Sequence, residues 1–186
     1  RGDGFDINQS ATHPGLKFIN LVVHDTRQGF SYWKEAQDAE IYGSVIYYNG
    51  WNAPDGGHGH GIYAQNQTGT KKITDNILFS GFAYGFHAYT EGSYIDNLDL
   101  EGNTLFNSGN LDGTNRNLLI GGVPGINAAN PVVKNNYMYR QGVVDGFNIG
   151  LDGSCSNATV TNNYISNETT LHNCLPVTMT GNSFYG

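Results

Sequence analysis

Val133-Lys134-Asn135-Asn136-Tyr137-Met138 and Val160-Thr161-Asn162-Asn163-Tyr164-Ile165 share one grammar, apolar–x–x–Asn–x–apolar, 27 residues apart. Ile73-Thr74-Asp75-Asn76-Ile77-Leu78, Leu100-Glu101-Gly102-Asn103-Thr104-Leu105 and Met179-Thr180-Gly181-Asn182-Ser183-Phe184 repeat it. Phe18-Ile19-Asn20-Leu21-Val22-Val23 and Ile41-Tyr42-Gly43-Ser44-Val45-Ile46 keep the apolar ends but place Leu21 and Ser44 at the Asn position. Successive copies lie 23, 32, 27, 33, 27 and 19 residues apart. A fixed grammar at irregular spacing is the mark of a solenoid whose coils are constant and whose loops vary in length. Residues far apart in sequence then fall into columns.

A second column aligns ahead of the first. Its members are Gly4-Phe5-Asp6-Ile7, Gly29-Phe30-Ser31-Tyr32, Gly61-Ile62-Tyr63-Ala64, Gly85-Phe86-His87-Ala88, Asn117-Leu118-Leu119-Ile120 and Gly146-Phe147-Asn148-Ile149. Strand side chains alternate between faces. Phe5, Phe30, Ile62, Phe86, Leu118 and Phe147 are therefore expected to stack inside, as are the residues two places on. Asp6, Ser31, Tyr63, His87, Leu119 and Asn148 point outward, and two places further lie Asn8, Trp33, Gln65, Tyr89, Gly121 and Gly150. The Gly before five of these six strands permits a bend and close backbone approach. The recurrent Asn is expected at a bend, where stacked amides bond the backbone and each other as a ladder.

With 186 residues the chain is one domain of ordinary size. Its 26 Gly and 23 Asn suit short strands joined by tight turns, because both residues tolerate left-handed backbone angles. A formal net charge of −7 with nine scattered basic residues argues against nucleic acid or an anionic membrane as partner. No apolar run is long enough for a membrane-spanning helix. A neutral or cation-bridged ligand fits better. The chain opens inside a repeat and closes just after one, so terminal caps are expected to be missing from this single domain, residues 1–186.

Cys155 lies four residues before Thr159, and Cys174 four before Thr178. Both threonines immediately precede a repeat, so the cysteines hold the same place in consecutive coils, about 4.8 Å apart if the coils pair. That suits a disulfide or, equally, two stacked free thiols.

This pattern resembles the right-handed parallel β-helix proteins of the pectate-lyase-like superfamily over essentially the whole chain. The resemblance implies an all-β, right-handed parallel β-helix of about seven coils, and an extracellular protein that meets an extended sugar chain along an outward strand column. Locally, Gly59-His60-Gly61-Ile62 resembles the Gly-His-Gly motif of polygalacturonase-type hydrolases, and Gly2-Asp3-Gly4-Phe5-Asp6-Ile7 resembles their first aspartate segment, with Asp3 at the matching position. The family's middle Asp-Asp pair is replaced by Gln28-Gly29, and its Arg-x-Lys clamp by Phe86-His87-Ala88. Inverting hydrolysis needs two carboxyl groups, so Asp3 and His60 do not inherit that mechanism.

The outward face remains the candidate site. His60, Tyr63, His87, Arg116 and Asp3 are the candidate catalytic residues. His with Tyr can supply base and acid, and Arg116 is the one nearby arginine that could stabilise an enolate. Asp6, Asn8, Trp33, Gln65, Tyr89 and Glu91 are the candidate sugar-binding residues, since rings cover apolar sugar faces while amides and carboxylates meet hydroxyls. His58, His60 and His87 could form a three-histidine metal set. Asp96, Asp99 and Glu101 could bind Ca²⁺, although their spacing follows no loop motif. The bland reading is that Tyr, His and Trp are good strand residues that stack between coils. Two rival classes stand beside polysaccharide binding or degradation. One is a noncatalytic module that self-associates end to end through unpaired strand edges. The other is an ice- or crystal-surface binder, for which only Thr159-Val160-Thr161 and Thr178-Met179-Thr180 align.

Overall fold

The computed structural model describes residues 2–7, 11–110, 116–142 and 145–185. Among them there is no helix, and three parallel sheets of seven strands each run side by side. The first sheet takes Phe5–Ile7, Phe30–Tyr32, His60–Ala64, Tyr84–Thr90, Leu118–Gly122, Asp145–Leu151 and Glu168–Leu171. The second takes Lys17–Ile19, Glu40–Tyr42, Lys71–Thr74, Leu98–Glu101, Val132–Lys134, Ala158–Thr161 and Val177–Thr180. The third takes Val22–His24, Val45–Tyr47, Ile77–Phe79, Thr104–Phe106, Tyr137–Tyr139, Tyr164–Ser166 and Ser183–Tyr185. Strands of one sheet follow one another in chain order, one per coil, which is a parallel β-helix of seven coils. A two-stranded antiparallel hairpin, Trp51–Ala53 with Gly56–His58, projects from the second coil.

The expected register of the first sheet is observed residue for residue. Phe5, Phe30, Ile62, Phe86, Leu118 and Phe147 pair in succession. The strand Glu168–Leu171 extends the column with Thr169, a member the sequence pattern did not reveal because Thr169 stands where the other coils carry Phe, Ile or Leu. A Cβ at Gly29 would collide with the Gly61 carbonyl oxygen, and one at Gly61 would stand 2.5 Å from that of Gly85. The glycine column thus permits the close coil-to-coil approach it suggests.

The repeat itself splits between two sheets. Its first apolar residue faces inward on the second sheet and its last faces inward on the third. The Asn sits at the bend between them. Each Asn amide oxygen accepts from the backbone N–H of the Asn one coil earlier, at 2.9 Å for the pairs 76–103, 103–136, 136–163 and 163–182. Each amide nitrogen donates to a carbonyl of the preceding coil, such as Asn136 to Leu100 at 2.9 Å. Ser44 continues the ladder rather than breaking it: its N–H donates to Asn76 Oδ1 at 2.9 Å and its Oγ accepts from Leu21 N–H at 3.1 Å. The residue just before the ladder is Asn20, Gly43, Asp75, Gly102, Asn135, Asn162 or Gly181, and in every coil its φ lies between 54° and 69°. That left-handed bend turns the chain from the second sheet to the third, and Gly, Asn and Asp are the residues that adopt it at least cost.

Cys155 and Cys174 pair across consecutive coils and are joined by a disulfide, with Cα atoms 4.3 Å apart. Near the other end of the core, Lys71 is wholly buried. Its Nζ donates to the carbonyls of Tyr32, Trp33 and Gln65 at 2.9, 2.6 and 2.7 Å and lies 4.1 Å from the centre of the Tyr32 ring.

The three outer faces differ. On the second sheet, six outward side chains are charged (Lys17, Glu40, Lys72, Asp99, Glu101 and Lys134). On the third, one outward column runs His24, Tyr47, Phe79, Phe106, Tyr139. The other runs Val22, Val45, Ile77, Thr104, Tyr137, Tyr164. Neither contains Asp, Glu, Lys or Arg.

Candidate functional site

The outward column of the first sheet is Asp6, Ser31, Tyr63, His87, Leu119 and Asn148, as the register requires. Facing outward does not make it open. Ser31 is 1% exposed, His87 9%, Leu119 1% and Asn148 7%, and Gln65 is likewise buried. The accessible part of the face is Asp6, Trp33, Tyr63, Tyr89 and Glu91, together with His60 and Tyr84 at the near ends of their strands. Asn8 lies outside the described residues.

Rings from three coils form one continuous cluster. Trp33 meets Tyr63 edge-on at 5.2 Å, Tyr63 meets His60 at 5.6 Å, and His60 meets Tyr84 at 5.4 Å. Tyr84 stacks on His87 at 4.1 Å, and His87 lies 5.4 Å from Tyr89. These neighbours are what enclose His87. Tyr84 was not among the sequence candidates. The signal for it exists, because it stands two places before Phe86 and pairs with His60. The cluster is fixed by polar bonds: Tyr63 OH donates to the Tyr89 carbonyl at 2.8 Å, and Gln65 Nε2 donates to the same oxygen at 3.2 Å.

His60 Nε2 and His87 Nδ1 are 3.1 Å apart, so one ring nitrogen donates to the other. Burial pushes His60 down to about 3, against a smaller opposing effect of the Gly59 carbonyl and alongside the repulsion of His58. Burial also holds His87 well below its ordinary value, helped by the charges of His60 and Arg116. The pair is therefore neutral at neutral pH. Arg116 thus acts on His87 as an electrostatic neighbour. Burial also raises the Tyr63 phenol.

The acidic end of the site is already engaged. Arg27 Nε donates to Asp3 Oδ1 at 2.7 Å, Arg27 Nη2 to Asp3 Oδ2 at 3.2 Å, and Ser31 Oγ to Asp3 Oδ2 at 2.6 Å. Burial pulls the Asp3 carboxyl upward, but the bonds from Arg27 and Ser31 outweigh it and hold the carboxyl below the usual range. Asp6 accepts from Trp33 Nε1 at 3.2 Å, which orients the indole. Arg27 gave no sequence signal, since nothing in the repeat marks the turn before Phe30. Gln28 falls between Asp3 and His60 in the coil-to-coil register, so the place of the hydrolase family's carboxylate pair is filled by an amide.

Beside this cluster lies a shallow cleft of about 360 Å³ lined by Arg27, Gln28, Trp51, His58, His60 and Tyr84, among others. The hairpin forms one wall, with Trp51 stacked on His58 at 5.2 Å. His58 Nε2 is bonded to Asp55 Oδ1 at 3.0 Å, so it turns to the hairpin tip rather than joining His60 and His87 in a metal set. Among the described residues no group of three or more His, Cys, Asp or Glu side chains is placed to hold a metal ion. The suggested Ca²⁺ carboxylates Asp99 and Glu101 instead flank Lys134, whose Nζ is 4.0 and 3.0 Å from them.

No family model, curated protein or solved structure matches the chain.

Proposed function

We propose that the first-sheet face binds a neutral extracellular polysaccharide, with Trp33, Tyr63, Tyr84 and Tyr89 as its ring surface. The observation that carries this reading is the unbroken ring cluster across three coils, bordered by a cleft with Arg27, Gln28 and His58 on its walls. Rings supply apolar area for the CH faces of sugars, and amide, imidazole and guanidinium groups meet hydroxyls. Arg27 is already paired with Asp3 and the net charge is −7, which favours neutral over anionic chains. Binding is favoured over cleavage because Asp3 and Asp6 are engaged in bonds that orient Arg27 and Trp33, and because His87 is enclosed behind Tyr84 and Tyr89.

A glycan array covering neutral and acidic polysaccharides tests this. The expected result is binding to a neutral polymer that falls at least ~10-fold in a Trp33→Ala/Tyr63→Ala double variant with unchanged circular dichroism, since a buried ring contact contributes about 1.5 kcal/mol or more. The bound polymers are then assayed for new reducing ends and for unsaturated products, and neither is expected. Absence of binding, or binding indifferent to the double substitution, would sink the reading; product formation would overturn its noncatalytic part.

A further inference from the structure

The third sheet carries a second surface of a different kind. Its rings lie in a ladder: His24 on Tyr47 at 4.8 Å and 11°, Tyr47 on Phe79 at 4.9 Å and 7°, and Phe79 on Phe106 at 4.8 Å and 1°. Tyr137 and Tyr164 stack at 4.4 Å and 4° in the neighbouring column. Parallel rings this close lie face against face with an offset, because coplanar neighbours would overlap. Their faces are therefore covered by one another, and their edges form the outer surface. Such a surface offers no ring face to a sugar.

The surface is nonetheless exposed. Val22 is 65% accessible, Ile77 42%, Tyr137 50%, Tyr139 42% and Tyr185 64%. For side chains of ordinary size these five alone present about 500 Å², and the partly exposed members of the two columns raise this toward the ~800 Å² per partner of a stable interface. Contiguous apolar area on this scale marks a contact site. The charge pattern indicates which partner. A chain of net charge −7 repels its own copy, and burying carboxylates or lysines between two copies carries a large desolvation cost. Two copies can meet with least of that cost on the one sheet whose outward columns contain no Asp, Glu, Lys or Arg, with Asp25 bonded to His24 at the first-coil end of the ladder.

We infer that the outer face of the third sheet is a self-association surface, on which two copies of this chain pack side by side about a two-fold axis. In an isologous pair the same patch serves both partners, so the central coil, with Thr104 and Phe106, lies nearest the axis. A lysine introduced there faces its own copy across the interface.

Analytical ultracentrifugation from about 1 to 100 μM, a range spanning ordinary dimer affinities, tests the inference. The wild-type chain is expected to be a dimer of compact dimensions. A Thr104→Lys/Ile77→Lys variant is expected to raise the dissociation constant at least ~30-fold, and a Thr161→Lys control on the second sheet to leave it unchanged. Both variants keep the inward residues, and their far-ultraviolet spectra are expected to match the wild type. A wild-type monomer throughout the range overturns the inference, whatever other partner the face then captures. Association that survives the double variant also overturns it, and rods growing with concentration would place that association at the strand edges of the solenoid ends.

Discussion

At the scale of single residues, the most demanding positions are polar groups placed where water is absent. Asn136 accepts from both the N–H and the side-chain amide of Asn103, and donates to Leu100 and Lys134 carbonyls. Asn136→Leu keeps the branched shape and removes all of these bonds. Each buried group left unpaired costs about 1–3 kcal/mol, so urea unfolding is expected to show a loss of about 2–4 kcal/mol; a smaller loss than 1 kcal/mol would show that the ladder is dispensable. Lys71 is a different case. Burial pushes its amine down to about 7, with Glu35 opposing, yet its three carbonyl partners match the three donors of an ammonium group. Two of those carbonyls belong to Trp33 and Gln65, so Lys71 fixes the backbone beneath the candidate site.

The histidine pair makes a pH prediction at the same scale. Both rings have folded values below the unfolded 6.5, so below that pH the unfolded chain binds more protons than the folded one. Stability then rises with pH through the window from about 3 to 6.5 and is lost on acidification. A His60→Asn/His87→Asn variant is expected to flatten this part of the stability profile in chemical denaturation run at several pH values. A profile as steep as the wild type's would show that other groups carry the acid sensitivity.

At the scale of elements, each strand is only a few residues long and gains its order from the coils on either side. That is visible at the last coil, where Met179 and Phe184 occupy inward columns but are 40% and 50% exposed, having a neighbour on one side only. The disulfide ties this coil to the one before it, closing a separation of 19 residues. Loop closure of that size contributes about 3 kcal/mol. Reduction, or a Cys155→Ala/Cys174→Ala variant, is expected to raise amide exchange in the last coil first and to leave exchange in the Asn76–Asn103 region slow. Uniform acceleration throughout the chain would show that the coils unfold as one unit.

The bends between elements were partly legible. The Asn column announced itself because the same residue type recurs. The left-handed position just before it leaves no single-residue signature, because Asn, Asp and Gly share a backbone preference rather than a side-chain chemistry. Ser44 stands at an Asn position, and its hydroxyl supplies one of the two acceptor contacts of the ladder.

At the scale of the whole molecule, three sheets of one repeat present three surfaces: rings with polar groups on the first, charges on the second, and an uncharged ring ladder on the third. Repetition makes this possible, since a substitution on an outward column changes one face and leaves the core columns intact. Binding on the first face and self-association on the third would not compete for the same residues. The two proposals therefore fail separately, through Trp33 and Tyr63 or through Ile77 and Thr104.

Apolar spacing and the recurrent Asn dictate the coil, its register and the side of each strand a residue faces, because these follow from alternation and from stacking like on like. They placed His60, Tyr63 and His87 on one face and Cys155 beside Cys174. What covers a face, and which partner each polar group takes, depends on turns and loops that obey no period. Tyr84 lying over His87, Arg27 reaching Asp3, and His58 turning toward Asp55 were settled only when the coils were stacked, since each joins residues whose contact is set by packing rather than by position in the repeat.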